Sequence, residues 1–239
     1  MKVLKFGGSS LADAERYLRV KDICLDTHAT SGAAVVLSAP KGVTNALSLL
    51  CDEASSGKDY GELFAKLNMV LFGILDDLKV TLPEFEDAAL AKYIQNVLNE
   101  LNQHLEGFAL LRCAPESVVA KILSIGEYLS VNIFSQILTT LGTKNQIIDP
   151  AELILAEGDY LDSIADVAVS KARFSEVDSS GDVVLIMPGF VAVNAEGEKV
   201  TLGRNGSDYS AAILAACIDA ECCEIWTDVD GVYNADPNQ

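Results

Sequence analysis

Short apolar runs alternate with amphipathic stretches along this chain, and the two spacings predict a strand, helix, strand opening. Val3, Leu4 and Phe6 read as a buried strand that carries Lys5 into the turn Gly7-Gly8-Ser9-Ser10. Residues 14–27 have helical spacing, and Ala33-Ala34-Val35-Val36-Leu37 is a second strand ending in Ser38-Ala39-Pro40-Lys41-Gly42. Such an order implies a parallel pair with a right-handed crossover, which makes neighbours of the loops at residues 5–10 and 38–44.

Residues 43–141 read as mostly helical, with breaks near Ser55-Ser56-Gly57, Thr81-Leu82-Pro83 and Cys113-Ala114-Pro115. The last of these helices, over 116–141, turns Val119, Leu123, Leu129 and Ile133 toward a core and is interrupted by Gly126-Glu127. Glu127 is either a solvated carboxylate on the outer face or a partly buried one that needs a cation. Gln146-Ile147-Ile148-Asp149 predicts a strand, 163–174 a helix and 182–190 a buried strand with a glycine exit. Residues 191–202 predict a hairpin turning at Asn194-Ala195-Glu196-Gly197. No repeat, low-complexity tract or linker divides the chain, so its 239 residues read as one α/β domain, a three-layer αβα sandwich with a mainly parallel sheet.

Composition narrows the function. A formal charge of −18 argues against nucleic acid or an anionic membrane as partner, because both call for a basic field. An anionic substrate then needs locally placed cations, and Mg²⁺ to arrive with it. The start lacks a basic segment leading into an apolar stretch, and no run is expected to approach the length of a membrane span, which predicts a cytoplasmic protein. The cysteines Cys24, Cys51, Cys113, Cys217, Cys222 and Cys223 show no ligand spacing and read as small core residues or free thiols; His28 and His104 read as solvated.

Three segments carry candidate chemistry. In Lys5-Phe6-Gly7-Gly8-Ser9-Ser10, glycines let the backbone approach an anion and Lys5 adds a charge, without P-loop spacing; alone, the run is weak evidence and reads more readily as a plain turn. In the run from Leu202 through Gly203-Arg204-Asn205-Gly206-Ser207-Asp208-Tyr209, a glycine-rich loop enters an alanine-rich helix reaching to about Ala220. Ser207 is placed as its cap and Arg204 as a fork for carboxylate or phosphate; an ordinary capped helix is the alternative. In Glu224-Ile225-Trp226-Thr227-Asp228-Val229-Asp230-Gly231-Val232-Tyr233, a strand ends in carboxylates, a glycine and an aromatic. These suit a nucleoside, or form a solvated turn.

Taken in this order, the three segments resemble the aspartokinases of the amino-acid kinase family. Leu214-Ala215-Ala216-Cys217 and Cys222-Cys223-Glu224-Ile225-Trp226 look most like the kinase portion of bifunctional aspartokinase/homoserine dehydrogenase. The resemblance implies ATP-dependent phosphorylation of the side-chain carboxylate of L-aspartate, the first step toward lysine, threonine and methionine. By the same resemblance Lys5 neutralises the transferring phosphoryl group, Asp208 orients Lys5, and Gly7, Gly8 and Ser9 contact phosphate. Ser38, Thr44, Glu127, Arg204 and Ser207 bind aspartate, while Thr227, Asp228 and Tyr233 bind ATP. Mg²⁺ is held through ATP phosphates and water.

The chain departs from the family in having Asn238 where an arginine follows Ala-Asp-Pro. It is expected to be an aspartokinase catalytic domain over 1–239, cut short at its carboxyl end, with neither ACT nor dehydrogenase domain, and homo-oligomeric in its full-length form. The rival activities are another amino-acid kinase, acting on glutamate, acetylglutamate, carbamate or a nucleoside monophosphate, and a non-catalytic fragment serving binding or assembly. Glu127 together with Arg204 favours a free amino acid among the acceptors.

Overall fold

The computed structural model describes residues 1–227. Among these residues, five parallel strands form the central sheet in the order β3-β6-β2-β1-β9: β1 (Lys2–Phe6), β2 (Ala33–Leu37), β3 (Asn145–Ile147), β6 (Val184–Pro188) and β9 (Cys223–Trp226). β1 lies between β2 and β9, so the chain steps outward on one side and returns much later on the other. This is the arrangement that leaves a crevice beyond the strand ends. The side chains of β2 are all buried, as expected for a parallel strand covered on both faces.

The two sheet faces carry separate cores. Leu4, Phe6, Val35, Leu37 and Ile186 pack against α1 (Ala14–Ser31), α2 (Val43–Ser55), α3 (Gly61–Thr81), α4 (Ala88–Leu111), α5 (Glu116–Leu123) and α6 (Ile125–Thr140). Val3, Ala34, Val36, Leu185 and Met187 pack against α8 (Val167–Phe174), α9 (Gly206–Cys217) and the hairpin of β7 (Val191–Val193) and β8 (Lys199–Thr201). The three-layer expectation therefore holds, as do the helix breaks before α3, α4 and α5. Between β3 and α8 the chain adds a short helix α7 (Pro150–Leu153), opened by Asp149, and the antiparallel hairpin of β4 (Ala156–Asp159) and β5 (Asp162–Ala165).

Four expectations need correcting. The helix drawn over 163–174 begins only at Val167: Ser163 and Ala165 face inward from β5, and the Asp166 side chain accepts from the Val169 N–H at 3.0 Å to start the helix. Helix α9 ends at Cys217 rather than near Ala220, because Asp219 adopts a left-handed backbone at φ 50°. Residues Glu116–Thr140 are long and apolar enough to cross a membrane, contrary to the sequence expectation. They are nevertheless split at Ser124, whose hydroxyl donates to the Lys121 carbonyl, and more than half buried within this fold. The histidines are half-buried rather than solvated, with His28 Nδ1 and His104 Nε2 shielded from water. The six cysteines are free, three of them buried.

Candidate functional site

The ends of β1 and β2 meet the start of α9 around a cleft of about 330 Å³ lined by Lys5, Gly8, Ser38, Thr44, Glu127, Ser207 and Asp208, among others. Close approach of the first two loops depends on Gly8, where a Cβ would stand 2.8 Å from the Ala39 carbonyl oxygen. Any side chain there would push the lysine loop away from the Ser38 loop.

Among the described residues, Lys5 is the only cation in this cleft with a buried stem: its side chain is 12 % exposed and its Nζ lies 2.5 Å from Asp208 Oδ1. The pair ties β1 to the first turn of α9 and leaves the ammonium facing the cleft. Gly7 lies beside it, with space for a Cβ at 3.6 Å from Nζ. In the first turn of α9, the Gly206 and Asp208 amides already donate to the Gly203 and Asn205 carbonyls, while the Ser207 amide has no such partner. Ser207 is not the helix cap. Asn205 holds that position with a left-handed backbone at φ 59°, and the Ser207 side chain packs toward Gly189 at the cleft wall.

Across the cleft stands Glu127, 3 % exposed, with Oε2 lacking a hydrogen-bond partner among the described residues. Gly126 puts it there: a Cβ at that position would lie 2.5 Å from Ala39 Cβ, so the first turn of α6 can press against the Ser38 loop only with glycine. Burial drives the Glu127 pKa up to about 8, opposed by the backbone N–H groups of Ala39 and of Glu127 itself. A buried carboxyl with an open lone-pair site, facing a cavity, is a receptor for a cation or a donor.

Arg204 is not brought into the cleft. Its side chain is exposed on the outside of the loop, although Gly203 and Asn205 on either side of it line the cavity. Ser9 and Thr227 meet elsewhere, on a neighbouring cavity of about 200 Å³ at the end of β9, where the Phe6 and Trp226 rings stack at 6.0 Å. Asp228, Tyr233 and Asn238 lie outside the described residues.

Sequence reasoning missed Lys41, Asn45 and Phe190, which also line the cleft. Phe190 has φ 71°, a conformation that costs a bulky residue roughly 1–3 kcal/mol. It is held there by its N–H donating to Ser210 Oγ at 2.9 Å and its carbonyl accepting from the Leu202 N–H at 2.8 Å. The exit Pro188-Gly189-Phe190 was the available signal, since a strand ending in glycine often turns into a site loop.

Fold and cleft together define an α/β protein with an open crevice beyond the carboxyl ends of its parallel strands, lined by one fixed cation and one buried carboxyl. A family model for the amino acid kinase family matches residues 1–239, and the chain belongs to that family. It is 40% identical over 240 residues to the bifunctional aspartokinase/homoserine dehydrogenase of Buchnera aphidicola subsp. Acyrthosiphon pisum, covering 100% of this chain and 29% of that protein. It is 31% identical to lysine-sensitive aspartokinase 3 of Escherichia coli, covering 98% of this chain and 50% of that one. Among solved structures, E. coli aspartokinase III in complex with aspartate and ADP superposes with a TM-score of 0.88 at 29% identity, over 100% of this chain and 51% of that chain. The chain thus spans less than a third of the bifunctional relative and about half of the monofunctional one.

Proposed function

We propose that this chain carries the phosphoryl-transfer site of an aspartokinase, moving the γ-phosphoryl group of ATP onto the side-chain carboxylate of L-aspartate to give 4-phospho-L-aspartate and ADP. One observation carries the choice of acceptor: the buried Glu127 carboxyl, unpartnered at Oε2, faces the same cleft as the Lys5–Asp208 pair. An amino acid placed between them offers its ammonium to Glu127 and its reacting carboxylate to the cationic side. Ser38 and Thr44 supply hydroxyls at the rim. Arg204 joins by swinging its exposed side chain over the rim onto the substrate carboxylate. The aspartate and ADP held by the E. coli structure support the reading.

The chemistry asks for position and charge rather than for a protein nucleophile, since the acceptor carboxylate is already ionised at neutral pH. An oxygen of that carboxylate bonds to the γ-phosphorus as the bond to the bridging oxygen of the leaving ADP breaks. Lys5 offsets negative charge on the transferring group, held by Asp208 so that little reorganisation is needed. Gly7, Gly8 and the Ser207 amide bring backbone donors to the phosphates in the cleft, and Ser9 meets the nucleotide from the neighbouring cavity. Thr227, at the end of β9, marks the nucleoside side; the motif that continues through Asp228 and Tyr233 is assigned to the nucleotide on its resemblance alone.

For Mg²⁺ the donors in the cleft decide the mode of binding. Asp208 is engaged by Lys5, Glu127 is buried and largely protonated, and the described residues contain no cluster of three acidic or sulfur and imidazole ligands. The site fits a cation carried on the phosphates and water. A cytoplasmic setting suits the six free thiols.

Calorimetric titration with L-aspartate, L-glutamate and N-acetyl-L-glutamate tests the acceptor. Aspartate is expected to bind tightest; a preference for glutamate or for the acetylated acid, which has no ammonium for Glu127, would overturn the assignment.

A further inference from the structure

A second cavity, of about 280 Å³, opens between α4, α5, the first turn of α6 and β8, and shares no lining residue with the cleft. Val97, Leu101, Ile122 and Ile125 give it an apolar wall. Lys199 enters from β8, its Nζ 3.9 Å above the centre of the Tyr128 ring. Among the described residues no carboxylate stands at ion-pair distance from it, and burial lowers its proton affinity. Of the two acids whose charge bears on it, Asp149 and Glu100, Asp149 acts more strongly and is already committed: its Oδ1 accepts from the Tyr128 hydroxyl at 2.5 Å and from the Ala151 N–H at 2.9 Å. The other lysine of the cavity, Lys121, is neutralised by Glu100 at 2.5 Å. His104 adds a ring nitrogen, Nε2, shielded from water and 3.7 Å from Glu100 Oε1, too far for a hydrogen bond.

The cavity therefore offers one uncompensated cation on an aromatic face, one unused ring nitrogen and an apolar wall. We infer that it is a second small-molecule site, for a monocarboxylate with a compact apolar or aromatic body. The carboxylate supplies the counter-charge that Lys199 lacks and accepts from His104, while the body covers the wall. One unpaired charge matches a monoanion better than a phosphate ester, whose second charge would have only the Glu100-bound Lys121 to meet. The assignment stands apart from the aspartate reading, since it uses none of the cleft residues.

Benzoate is the probe, with benzyl alcohol and benzylamine as isosteric controls, followed by methyl NMR shifts of Ile122 and Ile125 in the full chain. Saturable shifts with benzoate alone are expected, with the dissociation constant raised by about tenfold or more in Lys199→Met. Lys199→Gln serves in its place should the methionine variant fail to fold, and Val97→Phe should block binding by filling the cavity. Absence of saturable shifts, equal affinity for benzyl alcohol, or binding unchanged by the loss of Lys199 would each overturn the inference.

Discussion

Replacing Glu127 by glutamine removes one ionisation and little volume, and it isolates the energetic consequence of burying that carboxyl. In the folded chain its pKa is about 8, against an ordinary value of 4.5. Below the lower value the group is neutral in both states; between the two, the unfolded chain ionises and the folded one does not. A raised folded pKa therefore gives stability that is complete at low pH and is lost as pH rises through about 8. The full difference corresponds to roughly 5 kcal/mol, of which about half falls between pH ~6 and ~9. Urea unfolding of both proteins at those two pH values measures it. The wild-type chain should lose that much more stability over the interval than Glu127→Gln; parallel profiles would refute the claim that Glu127 is buried without a partner.

The same ionisation gives a second expectation: an ammonium bound to Glu127 drives off its proton, so aspartate binding near pH ~7 should release a large part of one proton per ligand. Calorimetry in buffers of different ionisation enthalpy reads this, and Glu127→Gln should abolish both the release and most of the affinity. Gly126→Ala forces a methyl to within 2.5 Å of Ala39 Cβ, and should lower stability by about 1–3 kcal/mol and weaken aspartate binding by displacing Glu127; an unchanged melting temperature would contradict the packing argument. Arg204→Ala should raise the aspartate dissociation constant about tenfold or more while leaving that for ATP unchanged. A change confined to ATP would reverse the two subsites.

Much of this was legible in the sequence because the informative segments are local. A lysine on a short apolar strand followed by two glycines, and a glycine-rich loop entering a small-residue helix, each dictate their own backbone, and the alternation of strands and helices dictates a parallel sheet. What could not be read depends on distant contacts. Glu127 was equally consistent with solvent until Gly126 was seen against Ala39. Ser207 has the chemistry of a helix cap, yet the left-handed turn at Asn205 starts the helix two residues earlier. The inward alternation of Ser163 and Ala165 is too short to outweigh a helical pattern until β4 supplies its partner strand.

The most direct test of phosphoryl transfer is trapping of the acyl phosphate with hydroxylamine, using this chain with ATP, Mg²⁺ and L-aspartate beside Lys5→Met, which keeps the length of the side chain and removes its charge. Aspartyl hydroxamate from the wild-type chain, reduced by about 10²–10³ or more in the variant, is the predicted result. Equal product from both proteins, or none from a wild-type chain shown by calorimetry to bind both substrates, would contradict it.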